Sequence, residues 1–125
     1  MEPRDDGMPA GGLSWVRGSR REPLLEITIP ALLAGCVAPR RDATAAVFPA
    51  EGIRWTWAEF AARVDALAGG LARLGYGKGD RLGIWAPNRS EWLLTQFATA
   101  RLGVILVTIN PAYRVHELEY ALKLS

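Results

Sequence analysis

Two short segments are the positions where the sequence most favours a ligand site: Pro87-Asn88 and Asn110-Pro111-Ala112-Tyr113. Each follows a run of residues predicted to be a β-strand. In open α/β sheets, ligands bind beyond the carboxyl ends of the parallel strands. Asn and Pro are also ordinary turn and capping residues, so turn formation is the simpler interpretation of both segments. We predict that the two segments lie at the same end of one sheet.

The glycine-rich segment Gly75-Tyr76-Gly77-Lys78-Gly79-Asp80 invites comparison with a phosphate-binding loop. Such a loop follows a strand and opens a helix, so that backbone amides face the anion. Here the order is reversed, because the glycines follow a predicted helix and precede a predicted strand. We interpret the segment as a helix-to-strand turn with Gly75 as the left-handed cap and Lys78 and Asp80 in solvent.

Residues for acid–base or metal chemistry are sparse. His116 is the only histidine and has no Cys or His at ligand spacing, while Glu117 and Glu119 fit a solvated helix face. Cys36, the single cysteine, is typical of a small apolar residue and weakly indicates a reducing compartment. No side chain of this group is predicted to be catalytic or to bind metal.

The hydroxyl and indole side chains give no stronger indication of a catalytic or binding site. Three hydroxyl residues lack both a Gly-x-Ser-x-Gly setting and a second histidine to activate them: Ser90, Thr108 and Ser125. Four of the five tryptophans fall within the patterned part of the chain: Trp55, Trp57, Trp85 and Trp92. We interpret them mainly as core residues, and the alternative is a surface on which lipids or nucleic-acid bases stack. We therefore assign no catalytic, cofactor-binding or metal residue.

Composition indicates a globular protein without nucleic-acid chemistry. Half of the 125 residues are hydrophobic, which excludes a disordered chain. The net charge of +2 is too small for a nucleic-acid interface. The longest apolar run, near Val104–Ile109, is far too short to span a bilayer. Residues 1–12 resemble neither a secretory signal nor an acid-poor transit peptide, so we predict a flexible tail and a cytoplasmic protein.

Local patterns predict the elements of the first half of the chain. Thr28 caps a short helix with Pro30 in its first turn, after an irregular segment from Leu13 to Pro23. Ala45–Phe48 and Ile53–Trp55 form a hairpin around a Gly-containing turn.

A second helix begins at Thr56. Thr56 and Glu59 form a capping box, and Trp55 and Phe60 occupy the hydrophobic staple positions. The predicted apolar stripe of this helix, which ends at Gly75, comprises five residues: Phe60, Val64, Leu67, Leu71 and Leu74. Gly69-Gly70 within it predicts close packing against a neighbour.

The second half predicts a parallel unit. Arg81–Ala86 is a strand, Asn88 or Ser90 caps a helix that runs to about Leu102, and Gly103 ends it. The β-branched run Val104–Ile109 is typical of a strand buried on both faces. A last helix, from about Val115 to Leu124, presents three apolar residues: Val115, Leu118 and Leu122. No strand follows it, so we expect marginal stability or self-association.

The order of these segments resembles the N-terminal portion of AMP-forming acyl-CoA synthetases, in the adenylate-forming superfamily. The similarity is greatest to the fatty-acyl-CoA synthetase subgroup that includes acyl-CoA synthetase family member 2. Residues 13–18 and 23–29 also resemble that subgroup's lead-in. The segments that carry the resemblance are Thr56–Phe60, Leu71–Gly75, Lys78–Trp85, Pro87-Asn88, Glu91-Trp92, Gln96–Ala100, Gly103, Ile105–Val107, Asn110–Tyr113 and Glu117–Tyr120.

The resemblance implies an incomplete α/β fold, the N-terminal part of the large adenylate-forming domain, with a mostly parallel sheet and helices on both faces. It implies a domain over residues 13–125 that continues beyond Ser125. The whole enzyme would use ATP, Mg²⁺ and coenzyme A to convert a fatty acid, through an acyl-adenylate, into its thioester. In family members the phosphate loop, nucleotide contacts and catalytic lysine lie downstream. We thus expect residues 1–125 to be inactive alone and to bind none of these cofactors tightly.

Two alternatives stay open from the sequence. One is a non-catalytic interaction module on the same scaffold, and the other is an adenylating enzyme for aryl or amino acids. Neither the acid nor the oligomeric state follows from the residues present.

Overall fold

A computed structural model describes residues 23–125 of the chain, and the predicted tail and most of the lead-in lie outside them. The described residues form two small sheets and four helices, which confirms the α/β class. Their order is α1 (Ile29–Val37), β1 (Thr44–Phe48), a 3-10 turn (Pro49–Glu51), β2 (Ile53–Thr56), α2 (Trp57–Arg73), β3 (Arg81–Trp85), α3 (Ser90–Leu102), β4 (Ile105–Ile109) and α4 (Val115–Leu124).

The predicted hairpin and the start of α1 are both confirmed. β1 and β2 pair antiparallel, and Gly52 closes the turn between them at φ 65°, a conformation that favours glycine. The Thr28 hydroxyl accepts a hydrogen bond from the Ala31 amide at 3.3 Å, which satisfies a free donor of the first turn of α1.

Helix α2 begins with the predicted capping box. The Glu59 amide donates to the Thr56 hydroxyl at 3.2 Å, and the Thr56 amide donates to the Glu59 carboxylate at 2.9 Å. Trp55 stacks on Phe60 with ring centroids 6.2 Å apart, as expected for the staple. Both rings belong to a buried core cluster that also contains Leu33 and Val64. Phe97 of α3 packs edge-on against Phe60.

The far end of α2 departs from the predicted stripe. The helix ends at Arg73, so Leu74 lies in the cap and is 77% exposed, while Ala68 is buried. The predicted close packing at Gly69-Gly70 is wrong for this chain. A methyl group placed on either glycine would meet only the Arg73 side chain within 4 Å.

The second half forms the predicted parallel unit. β3 and β4 pair in parallel from Arg81 opposite Ile105 to Trp85 opposite Ile109, with α3 as the crossover. Gly103 ends α3 at φ 73°. The prediction that β4 is buried on both faces is wrong, because Ile105 is 47% exposed. Within residues 23–125, α3 is the helix that packs extensively on these strands.

Helix α4 forms where predicted, but its apolar side chains have little cover. Val115 and Leu122 are 75% and 61% exposed, and Leu118 is half-buried. None of the helices in residues 23–125 has the length and apolar character needed to cross a bilayer.

Candidate functional site

The two candidate segments line one open cleft of about 720 Å³ beyond the carboxyl ends of β3 and β4. The parallel pairing explains this, because Trp85 and Ile109 are register partners at the last position of their strands. The prediction that Pro87-Asn88 and Asn110–Tyr113 lie at the same end of the sheet is confirmed. The lining residues are Ala86, Pro87, Asn88, Trp92, Thr108, Ile109, Asn110, Pro111, Tyr113, Tyr120, Ala121, Leu124 and Ser125.

Asn110 organises the β4 side of the cleft. Its backbone carbonyl accepts hydrogen bonds from the Trp85 indole at 3.1 Å and from the Tyr113 amide at 3.0 Å. Its side-chain oxygen accepts from the Ala112 amide at 3.0 Å, which forms an Asx turn. The turn is therefore tied to β3 through the Trp85 side chain, and the turn interpretation of this segment is confirmed.

The β3 side of the cleft is fixed by a residue that the sequence reading missed. α3 begins at Ser90 with Arg89 in the cap position, so the prediction that Asn88 or Ser90 provides the cap is wrong. Glu51 of the hairpin turn takes that role, because its carboxylate accepts from the Ser90 amide at 3.1 Å and from the Ser90 hydroxyl at 2.6 Å. No local spacing signals a cap supplied from a distant turn. Asn88 and Trp92, on either side of Ser90, line the cleft.

The cleft carries no formal charge on its lining side chains, since none of them is Lys, Arg, Asp or Glu. A triphosphate needs cationic side chains or a cradle of amides, and Mg²⁺ needs carboxylate or phosphate oxygens. The lining therefore does not fit ATP phosphates or a metal ion. Its aromatic and aliphatic walls suit an uncharged group.

A pair of charged side chains lies at the start of α3, next to the cleft residues Asn88 and Trp92. The pKa of Glu91 is below its ordinary value, first because the carboxylate accepts a hydrogen bond from its own backbone and then because of the Arg89 charge and the Ser90 hydroxyl. Arg89 and Glu91 form an exposed ion pair at 3.3 Å. This pair is a surface feature of the helix start.

The glycine-rich segment is the predicted turn between α2 and β3. Gly75 and Gly79 have φ values of 96° and 92°, and the Gly77 amide donates to the Asp80 carboxylate at 2.8 Å. Lys78 and Asp80 are exposed, as expected. The Gly79 amide donates to the Gly103 carbonyl at 3.0 Å and the Asp80 amide to the Gly77 carbonyl at 3.1 Å, so these amides do not form a phosphate cradle.

The α4 residues do not converge on a site. The Glu117 carboxylate accepts from the Arg114 amide at 3.1 Å, and Glu119 pairs with Lys123. His116 and Glu117 border a shallow depression of about 290 Å³ with Tyr113 and Tyr120. Across residues 23–125, no group of three or more His, Cys, Asp or Glu side chains is placed to hold a metal ion.

The other tryptophan, hydroxyl and cysteine side chains considered from the sequence lie either in the core or at the cleft. Trp55 and Trp57 belong to the aromatic core, whereas Trp92 lines the cleft and Trp85 holds its edge. Thr108 and Ser125 also line the cleft, Ser90 is buried against Glu51, and Cys36 is half-buried. The core interpretation is thus confirmed for two of these tryptophans.

Comparison with known proteins gives consistent matches. A family model described as "AMP-binding enzyme" matches residues 34–125. The chain is 46% identical over 116 residues to the mitochondrial medium-chain acyl-CoA ligase ACSF2 of Danio rerio, covering 93% of this chain and 19% of that protein. The chain thus spans about a fifth of the length of the curated relatives that it matches.

Solved structures show the same fold. A fatty acyl CoA synthetase of Mycobacterium tuberculosis matches with a TM-score of 0.73 and 29% identity, over 76% of this chain and 19% of that one. An artificially fused adenylation–PCP di-domain from Klebsiella oxytoca matches with a TM-score of 0.72 and 22% identity, over 77% of this chain and 18% of that one. The second likeness concerns the fold alone.

Proposed function

The chain belongs to the AMP-binding enzyme family, and we propose that it forms part of an AMP-forming ligase that activates a fatty acid and transfers it to coenzyme A. The observation that carries this proposal is the 46% identity to a medium-chain acyl-CoA ligase, which extends over 93% of the chain.

The proposed reaction has two steps. A carboxylate oxygen of the acid attacks the α-phosphorus of ATP, and pyrophosphate leaves to give the acyl-adenylate. The thiolate of coenzyme A then attacks the acyl carbon, and AMP leaves with the electron pair of the broken bond. Each step exchanges one bond for another, so neither needs an oxidant or a reductant.

In this proposal, residues 13–125 are the first part of the adenylate-forming domain and serve as scaffold. No described residue is assigned to catalysis, to the nucleotide phosphates or to Mg²⁺, in keeping with the neutral cleft. ATP, Mg²⁺ and coenzyme A are substrates and cofactor of the full-length protein, and its partners are small molecules rather than nucleic acid.

The test is acid-dependent exchange of pyrophosphate into ATP by the full-length protein. We expect exchange with fatty acids, followed by thioester formation when coenzyme A is added. Exchange with aryl or amino acids alone would instead support an adenylating enzyme of another specificity. No exchange with any acid would support the interaction module and overturn the ligase.

The 125-residue chain provides the matched comparison. We propose that it shows no acid-dependent exchange under conditions in which the full-length protein turns over, so measurable turnover by the short chain would contradict its role as scaffold. A cytoplasmic location is part of the same proposal. Since the ACSF2 relatives are named mitochondrial, fractionation of cells expressing the full-length protein distinguishes the two compartments.

A further inference from the structure

Helix α1 has apolar side chains on two faces, and residues 23–125 cover one of them. Its sequence, IPALLAGCV, contains no charged residue, and a helix that is apolar all round is normally surrounded by other parts of the protein. Leu33 and Val37 pack into the core cluster. A second stripe, the α1 flank, lies about a quarter of a turn around the helix and consists of Ile29, Leu32 and Cys36.

The α1 flank continues an exposed apolar surface that starts before the helix. Ile29 and Leu32 are 46% and 43% exposed, and the residues just before them are more so: Leu24 91%, Leu25 75% and Ile27 52%. Large apolar side chains exposed this close together indicate a surface that another segment or molecule covers.

We propose that residues 13–22, which directly precede the described part of the chain, dock on the α1 flank. This segment begins with the apolar residues Leu13, Trp15 and Val16, followed by six residues that are charged, polar or glycine. Contact between its apolar end and the flank removes both from water, while its polar part stays in solvent.

The segment is long enough to make this contact. Trp15 lies eight residues before Pro23, and eight extended residues span about 26 Å. Ile29 lies six residues after Pro23, so it is at most about 20 Å from it, and Leu32 is about 5 Å further along the helix.

Two further observations favour this occupant. The match to the ligase of Danio rerio spans 116 of the 125 residues, so it includes residues 10–116 wherever it starts and contains the whole segment. A lipid surface is less suited, because anionic bilayers attract an excess of Lys and Arg. In residues 23–42 the charges cancel: Arg40 and Arg41 against Glu26 and Asp42.

The first experiment measures how fast N-ethylmaleimide modifies Cys36, the single cysteine, in the 125-residue chain. Trp15→Ser should release the segment and raise the rate by roughly tenfold, the factor that corresponds to burying one large apolar side chain. Met8→Ser, an apolar-to-polar change upstream of the segment, is the matched control and should leave the rate unchanged.

The second experiment changes the flank and observes the segment. Leu32→Ser should shift the ¹⁵N–¹H signal of the Trp15 indole, assigned by its loss in Trp15→Phe. Val47→Ser is the control, since Val47 is also 43% exposed but lies on the hairpin.

The proposal is overturned if Trp15→Ser leaves the Cys36 rate unchanged and Leu32→Ser leaves the indole signal unchanged. It is also overturned if Cys36 is protected only at high protein concentration, which would indicate a second copy, or only with phosphatidylglycerol vesicles, which would indicate a membrane. None of these measurements depends on ligase activity.

Discussion

The carboxylate of Glu51 accepts hydrogen bonds from both the backbone amide and the hydroxyl of Ser90, which lies 39 residues further along the chain. Ser90 is only 3% exposed, so its amide would otherwise lack a partner, whereas its hydroxyl also lies 3.3 Å from the Glu91 carboxylate. This contact joins the hairpin turn to the first residue of α3. It connects the half of the chain that contains the aromatic core to the half that contains the cleft.

We predict that Glu51→Ala lowers the free energy of unfolding by about 1–3 kcal/mol, the usual cost of leaving a buried donor, here the Ser90 amide, unpaired. Glu51→Gln keeps one acceptor and should cost less. Urea denaturation measures both, with the exposed Glu26→Gln as the control. Combining Glu51→Ala with Ser90→Ala should give less than the sum of the single effects, since the pair shares one interaction. Strict additivity would show that the contact does not stabilise the fold.

The glycines of α2 and α3 should respond to alanine in opposite directions. Gly69 lies in a helix with only the Arg73 side chain nearby, so Gly69→Ala should stabilise the chain by about 0.5–1 kcal/mol. Gly103 has φ 73°, and a methyl group there would lie 3.1 Å from Cγ of Lys78. Gly103→Ala should therefore destabilise the chain by roughly 1–2 kcal/mol or more. Thermal melts of the two variants measure the difference. A destabilising Gly69→Ala would revive the prediction that this glycine packs closely against a neighbour.

Local signals predicted most of the backbone, and non-local contacts account for most of the errors. Thr28, Thr56 and Gly52 act within a few residues of themselves, so spacing alone identified the caps and the hairpin. Glu51 acts on Ser90 through the tertiary fold, and nothing in its neighbours indicates that role.

Burial was predicted less well than secondary structure, because it depends on the layers that cover an element. The β-branched sequence of β4 is typical of a fully buried strand, yet Ile105 is 47% exposed. In residues 23–125 the sheet that contains β4 has two strands. The position of the cleft was predicted correctly because the carboxyl ends of paired parallel strands lie together, and this does not depend on which elements cover the faces of the sheet.

The pKa of Glu91 gives a prediction with a definite sign. The folded state lowers this pKa below its ordinary value of 4.5, so the associated stabilisation is fully present above that value and is lost as the pH falls through the folded pKa. Arg89→Ala should raise the pKa toward 4.5 without reaching it, because the backbone hydrogen bond is the larger cause. An NMR titration of the Glu91 carboxyl carbon measures the shift. A pKa that stays unchanged in Arg89→Ala would exclude the guanidinium as a contributor.

Exposed apolar side chains on β4 and α4 predict self-association of the 125-residue chain. Ile105, Leu122 and Leu124 are 47%, 61% and 73% exposed, and each strand of the β3–β4 pair has one side without a β partner in residues 23–125. Exposed strand edges and apolar faces favour pairing with a second copy. We expect sedimentation velocity to show larger species as the concentration rises, and the melting temperature to depend on concentration.

Charge placed on both β4 and α4 should reverse the association. Ile105→Lys combined with Leu122→Lys should shift the chain toward monomer, because desolvating an unpaired ammonium group opposes burial. Val47→Lys is the matched control, since Val47 is 43% exposed on the hairpin, away from the parallel strands. If association persists in the double variant and is lost in Val47→Lys, the hairpin is the contact surface. A sharp monomeric melt at every concentration would show that the exposed strands need no partner.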